Sequence, residues 1–438
     1  MSINRKKIWS LSWPVIIANF TIPLVGLTDT VIMGHMPNSL YIASIAFGGI
    51  VFNFVYAGLN FLRMGTTGIT AQKIGEKNHE EVFFSLIRPL LLAFFIGIFI
   101  YLLKNNIYNF SLYFLTPNKE VQDLFKEYLF IRLIGLPFGL INMVFLGWFF
   151  GMQKTKSVML QLIIINFANI IFSIYFSVIL DLGIYGVAIG SVIAQFSGLL
   201  ISILMFSNFY KNLNFQKFNL KKIINFQNFS PLFLISKNLF LRTFFLVFVQ
   251  AYLIKKSGLI GVNELATMEI LLVIFSLSSY SLDAFAHSAE TLVGNSIGAK
   301  NKNDLYKSIK SSTELAIIFS LIIGFIFYFF SNYLIAIFTD IKILRMLTAE
   351  IWALVIITPF ISTLAFQLDG IFIGATLAKE MRNSIMIACL IFYFTLEFII
   401  DDSLNLKNLY SFFFLFLIIR GIVLTMYLKR VFNLTTNQ

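Results

Sequence analysis

Ile74-Gly75-Glu76-Lys77-Asn78 returns as Ile297-Gly298-Ala299-Lys300-Asn301, and Gly147-Trp148-Phe149-Phe150-Gly151 returns as Gly370-Ile371-Phe372-Ile373-Gly374, both at one and the same interval. Pro137-Phe138 and Pro359-Phe360 keep that interval to within a single position. In so apolar a chain one Gly/Phe coincidence means little, whereas a polar pentamer and a shared offset mean more. The sequence reads as one unit duplicated over half its length. Parallel repeats related by an axis along the membrane normal are a recurrent plan of secondary transporters, with a substrate cavity between the halves. That architecture is the leading expectation.

Composition agrees. Of 438 residues 58% are hydrophobic and 12% charged, with a mean hydropathy of +0.85, against about 25% charged residues in an average soluble domain. At about 20 residues per span, the length accommodates about twelve transmembrane helices, six per half. The expected fold is all-α and polytopic, with twelve transmembrane helices in two pseudo-twofold-related six-helix bundles. The 52 phenylalanines, with abundant Lys, Ile and Asn, look like drift in an AT-rich genome and need no functional cause. One cysteine, Cys389 in an apolar run, excludes a disulfide framework and a thiolate metal cluster. Arg5, Lys6 and Lys7 precede an apolar run as in a signal peptide, but Pro14, Pro23 and Asp29 interrupt it and no small-residue cleavage site follows, so a retained first helix is expected.

The apolar runs are Ile8–Met33, Leu40–Met64, Phe83–Leu103, Leu124–Phe150, Val158–Leu180, Gly183–Phe209, Leu232–Leu253, Ala266–Val293, Leu315–Tyr333, Ile351–Gly374, Ile385–Ile400 and Phe412–Tyr427. Net charge is +12, and the alternating loops sort the basic residues into twenty on one side and eight on the other, with Arg63, Arg88, Arg132, Arg242 and Arg420 in or at the ends of spans. Retained positive charge marks the cytoplasmic side. An even number of spans follows, with both termini cytoplasmic in a bacterial inner membrane, and no nucleic-acid partner. The expected domains are an N-terminal bundle over 1–209, a basic cytoplasmic linker over 210–231 and a C-terminal bundle over 232–438.

Acids inside spans cost about 2.5 to 3.5 kcal/mol on insertion scales, so they face cavities or partners and have work there. Asp29 lies toward the far end of the first run in Leu24-Val25-Gly26-Leu27-Thr28-Asp29-Thr30, behind Pro23, which removes a backbone donor and can bend the helix. It is the principal candidate, as a proton or cation carrier, because burial favours the neutral form of a carboxyl and a neighbouring cation favours the ionised form. Permanent pairing with a buried arginine is the structural alternative. Asp283 and Glu290 are two helical turns apart with His287 between them, so the three share a polar stripe. The stripe could relay protons, orient a cationic substrate or hold the second half together. Asp369 precedes the repeated Gly370-Ile371-Phe372-Ile373-Gly374, and its first-half counterpart is Leu146, so the acid is not part of the shared scaffold. Glu397, beside Asp401 and Asp402, reads as an ordinary charge near a span end.

His35 and His79 have no second ligand at metal spacing, so no metal site or other cofactor is expected. Gly65-Thr66-Thr67-Gly68 and the glycine pairs read as close helix contacts. A G-x-x-x-x-G-K motif followed by Ser or Thr is absent, which leaves an ion gradient rather than ATP as the energy source.

Four segments resemble the multidrug and toxic compound extrusion (MATE) family, specifically its DNA-damage-inducible-F (DinF) branch. They are Pro23 to His35 with Asp29-Thr30-Val31-Ile32-Met33-Gly34-His35; Phe61-Leu62-Arg63-Met64-Gly65-Thr66-Thr67-Gly68 with Thr70-Ala71-Gln72; Leu282-Asp283-Ala284-Phe285-Ala286-His287-Ser288-Ala289-Glu290; and Leu368-Asp369-Gly370-Ile371-Phe372-Ile373-Gly374-Ala375-Thr376 with Met381-Arg382-Asn383. The resemblance implies a twelve-helix antiporter that expels amphipathic, often cationic compounds in exchange for protons or sodium. It implies that Asp29 matches the acid on which first-lobe ion coupling centres, that Asn169 is the fifth-helix asparagine of that site, and that Asn142 and Ser191 match polar positions on helices four and six. The chain departs at Ser173, where relatives commonly carry an aspartate four residues after the asparagine. One carboxylate should hold Na⁺ less well than two, since hard cations favour several charged oxygens. The expectation is therefore H⁺ coupling, with Na⁺ coupling the alternative.

The nearest rival is a flippase for lipid-linked precursors, of a related two-bundle type, which needs a basic cavity for pyrophosphate. Arg63, Arg132, Arg242 and Arg420 are expected near span ends, where long basic side chains snorkel, so the cavity is expected to be acidic, formed with Asp283, His287, Glu290 and Asp369. A membrane-embedded enzyme needs a nucleophile and a base in reach, and no Ser/His or Cys/His set is found, so no catalytic residue is expected. The expected partners are small amphipathic or cationic molecules and the lipid bilayer. Two complete halves in one chain make a monomer sufficient.

Overall fold

A computed structural model describes residues 5–34, 40–115, 119–212, 230–398 and 405–435. Residues 213–229 of the expected linker, with His35, Asp401 and Asp402, lie outside the described residues. The helices run α1 (Arg5–Gly34), α2 (Leu40–Leu59), α3 (Phe61–Gly75), α4 (His79–Leu102), α5 (Lys104–Leu115), α6 (Lys119–Gly151), α7 (Thr155–Ile174), α8 (Gly183–Asn212), α9 (Ser230–Ile260), α10 (Val262–Gly298), α11 (Lys302–Phe329), α12 (Ser331–Phe338), α13 (Lys342–Gly374), α14 (Ala378–Phe398) and α15 (Leu406–Asn433). A π-helical turn, Tyr175–Ile179, continues α7. Among the described residues twelve stretches are membrane spans, with α2 and α3 forming one span broken at Asn60.

The helices outrun the apolar runs because their polar ends can stand outside the hydrocarbon. α11 begins at Lys302, well before Leu315, where Asn301 caps it by accepting from the Asp304 amide at 3.0 Å. The run over Leu315–Tyr333 is split, since α11 stops at Phe329 and α12 starts at Ser331.

Both halves of the duplication fold alike. Asn78 opens α4 by accepting from the Glu81 amide at 3.1 Å, as Asn301 opens α11. The residue before each cap is left-handed, Lys77 at φ 57° and Lys300 at φ 52°. Gln153 and Thr376 share a second left-handed position, both at φ 57° and again separated by the repeat interval. The glycine pairs behave as small-residue contacts in membranes do. Gly147 leaves no room for a Cβ against the Arg63 carbonyl oxygen, and Gly370 none against that of Ala286, so α6 lies on α3 as α13 lies on α10.

The chain divides into two compact units, Pro14–Leu232, and Phe233–Gln438 with Met1–Trp13. Each holds a six-helix bundle. In the first, α6 touches α2, α3, α4 and α8; in the second, α13 touches α10, α11 and α15. The start of α1 belongs to the second unit, where Ser12 Oγ meets Ser288 Oγ at 2.8 Å and Arg5 pairs with Glu314 at 2.6 Å. The second unit also contains a large apolar core in which Tyr252, Phe275, Trp352, Phe392 and Phe413 are buried.

Candidate functional site

In the first unit α1 carries Asp29 two turns beyond Pro23, and the Asn166 amide of α7 donates to Thr21 Oγ1 near that proline. Asp29 is 8% exposed. Ser173 of α7 lies beside its carboxyl without meeting hydrogen-bond geometry, and Arg132 of α6 acts on it electrostatically. One turn before Ser173, Asn169 donates through Nδ2 to Ser191 Oγ of α8 at 3.0 Å. α8 can come this close because Gly190, beside Ser191, would put a Cβ 2.6 Å from the Ser173 backbone nitrogen. The structure thus brings Asp29, Asn169, Ser173 and Ser191 together from three helices. Asp29 Oδ1, Asn169 Oδ1 and Ser173 Oγ are all buried, and none has a hydrogen-bond partner among the described residues. Polar atoms so placed normally find partners. The π turn that begins just after Ser173 adds Ser177 Oγ to the buried oxygens without a partner, and such turns gather at functional sites.

Asn142 belongs to a neighbouring cluster. Its Nδ2 donates to the Gln195 carbonyl at 2.8 Å and to Gln195 Oε1 at 3.0 Å, and Gln161 Nε2 donates to the Asn142 carbonyl at 3.2 Å. These partners lie about one turn from Ser191 and two from Asn169, so Asn142 ties α6, α7 and α8 together beside the site.

Sequence reasoning missed the company of Asp29 on α6. Arg132, expected near a span end, is instead held well inside α6. Its Nη1 donates to the buried Tyr128 hydroxyl at 2.8 Å, and its guanidinium stacks over Phe52 at 4.3 Å from the ring centroid. The four-residue spacing of Tyr128 and Arg132 is the only sequence signal of that pair.

The second unit treats its acids differently. Asp369 is 5% exposed, and its Oδ2 accepts from both Arg242 of α9 and Arg420 of α15. The expectation that Arg242 and Arg420 snorkel from span ends is overturned: they stand well inside their helices, 6% and 2% exposed, because the carboxylate binds them there. Glu290 is fully buried and meets His287 Nδ1 at 3.2 Å, one turn away on α10. Asp283 is partly exposed and acts electrostatically on both arginines, as Glu290 does on Arg242. The stripe and Asp369 therefore form one charged cluster, with three carboxylates facing two guanidinium groups. Glu397 pairs with Lys256 at 2.9 Å, and His79 is the exposed first residue of α4. Among the described residues no group of three His, Cys, Asp or Glu side chains could hold a metal ion.

Known proteins share this arrangement of spans. A family profile described as MatE matches the chain twice, over residues 14–175 and 239–399, once in each half of the duplication. DNA damage-inducible protein F of Escherichia coli (strain K12) is 31% identical over 396 residues, which cover 90% of this chain and 86% of that one. A protein named "Probable multidrug resistance protein NorM" from Thermotoga maritima is 26% identical over 352 residues, 77% of this chain and 72% of that one. Among solved structures, a MOP superfamily transporter from Pyrococcus furiosus, described by the reverse polarity of its binding pocket, shares the fold with a TM-score of 0.87. It is 17% identical, with 99% of this chain and 97% of that one covered.

Proposed function

The chain belongs to the MatE family of multidrug and toxic compound extrusion transporters, and we propose that it is a secondary antiporter exporting amphipathic, cationic compounds in exchange for protons by alternating access. One observation carries this reading: the buried carboxyl of Asp29 stands among neutral oxygens of Asn169 and Ser173, and none of the three is fully satisfied by hydrogen bonds. Leaving a buried acceptor unmade costs about 1–3 kcal/mol, so the group gains by taking up a proton, a cation or water. With a single carboxylate, the uncharged side chains of Asn169, Ser173 and Ser191, and the Arg132 cation nearby, the cluster suits a proton better than a hard cation, which favours several charged oxygens. Protonation from outside neutralises Asp29, alters α1 beyond Pro23 and loosens the hold on a cationic cargo, which leaves. Deprotonation on the cytoplasmic side of the bacterial inner membrane, the side of the Lys and Arg excess and of both termini, resets the cycle.

Arg242 and Arg420 do not favour the basic cavity of a flippase for pyrophosphate-linked lipids, because both pair with Asp369. Efflux of ethidium from proteoliposomes under an imposed pH gradient or an imposed Na⁺ gradient tests the proposal, with Asp29→Asn beside the native chain. Efflux driven by the pH gradient and lost in the variant is expected. Efflux driven by Na⁺ alone would overturn the argument from Ser173, and equal efflux by Asp29→Asn would sink the assignment of the site.

A further inference from the structure

Two helix contacts that the duplication should make alike differ. In the first unit α4 lies flush on α6, since a Cβ on Gly97 would come 2.6 Å from Pro137 Cα. At the repeat interval Gly97 corresponds to Ser320 of α11, which faces α13 near Pro359. A serine cannot make the glycine's approach, and between α11 and α13 a crevice of about 400 Å³ opens. Its walls are apolar: Leu321, Gly324, Phe325 and Tyr328 on one side, Ile357 and Phe360 on the other. The Ser320 hydroxyl is satisfied within its own helix, by the Ile317 carbonyl at 2.8 Å. At Gly324 the two backbones come close, for a Cβ there would stand 3.1 Å from the Ile356 carbonyl oxygen.

Both helices span the membrane, and Phe325, Tyr328, Ile357 and Phe360 are 61%, 62%, 47% and 43% exposed, so the phase at the mouth of the crevice is hydrocarbon. We propose that this crevice seats one acyl chain of a bilayer phospholipid. Exposed Lys342 opens α13 on the helical face of Phe360, five turns earlier. At 1.5 Å per residue Ile357 lies ~22 Å below it. One leaflet with its headgroup layer is about 20–22 Å thick. A phosphate beside Lys342 thus brings the end of its own acyl chain to the crevice at Ile357. The chain lies beside the stretch of α13 that holds Pro359, where the missing backbone N–H makes the helix easiest to bend.

The test reconstitutes the full chain with a phospholipid bearing a photoreactive diazirine near the end of one acyl chain, and maps the labelled residues by mass spectrometry. Labelling concentrated on 320–328 and 356–360 is expected, competed by excess unlabelled phospholipid. It should fall at least fivefold in Gly324→Leu, which fills the crevice, and also in Ser320→Gly, which permits the flush contact of the first unit. Label spread evenly over the lipid-facing spans, or undiminished in both variants, would overturn the proposal.

Discussion

Each half of this molecule buries an aspartate in its membrane spans, and the two are surrounded in opposite ways. Asp369 is neutralised where it stands by Arg242 and Arg420. Asp29 has Arg132 in its neighbourhood, but that guanidinium is bonded to Tyr128, and Oδ1 of the acid has no partner among the described residues. A carboxylate clamped by two guanidinium groups ties three helices together, whereas one left partly unsatisfied is the group on which the proposed exchange rests. The duplication sharpens the contrast. At the repeat interval, Asp29, Asn169 and Ser173 correspond to Tyr252, Phe392 and Leu396, all members of the apolar core of the second unit. Tyr252 and Phe392 meet edge to face with ring centroids 6.1 Å apart. The common scaffold is made of turns and glycine contacts, and each half has placed its charges on it independently.

The largest effect that could break this comparison lies in the second unit. Asp369→Ala removes the one carboxylate that both buried guanidinium groups bind directly, and breaking a buried pair in this way costs about 3–5 kcal/mol. A steep loss of folded protein in detergent and of thermal midpoint is expected. Combining Arg242→Met, Arg420→Met and Asp369→Leu should recover part of it, since apolar replacement of buried ions is often neutral or stabilising and Glu290 keeps His287 as its partner. If Asp369→Ala folds like the native chain, the clamp is not structural and the contrast fails.

Next comes Asp29→Asn, whose thermal midpoint should stay near the native value while coupled efflux falls at least tenfold, a difference of ~1.4 kcal/mol in rate terms. Unfolding of this variant would put Asp29 in the same structural class as Asp369. A smaller, constructive change is Ser173→Asp, which supplies a second carboxylate on the same helix one turn from Asn169. Efflux should then become several-fold more dependent on Na⁺, read as the ratio of rates under Na⁺ and pH gradients. An unchanged ratio would mean that residue 173 does not set the coupling ion.

How much of this was legible in the sequence follows from the range of each interaction. The duplication and the twelve spans are written in local composition and a repeated turn, and Asp29 is conspicuous because an acid behind a proline in an apolar run is expensive. The clamp on Asp369 is not legible, since its partners stand 127 and 51 residues away on other helices. Hydropathy reports only that an arginine is present in a run, so snorkelling to the span end is the reasonable expectation, and only the packing of α9, α13 and α15 reverses it. The approach of Arg132 and Tyr128 to Asp29 was missed for the same reason. The break at Asn60 and the split of the run over Leu315–Tyr333 were missed because a hydropathy window averages across one polar residue.

The smallest effect is the most pointed test of what became of the site in the second copy. The Tyr252 hydroxyl is buried without a hydrogen-bond partner among the described residues. Tyr252→Phe keeps the ring against Phe392 and removes only that orphaned group, so stability should be unchanged or should rise by up to about 1 kcal/mol, read from the thermal midpoint. Tyr252→Asp rebuilds the Asp29 side chain at the repeat position but sets it in an apolar core against Phe248, Phe392 and Tyr393, and it should fold poorly. A tolerated aspartate, or a tyrosine hydroxyl that proves costly to lose, would mean that the second copy retains a polar site after all. The difference between the halves would then be one of degree.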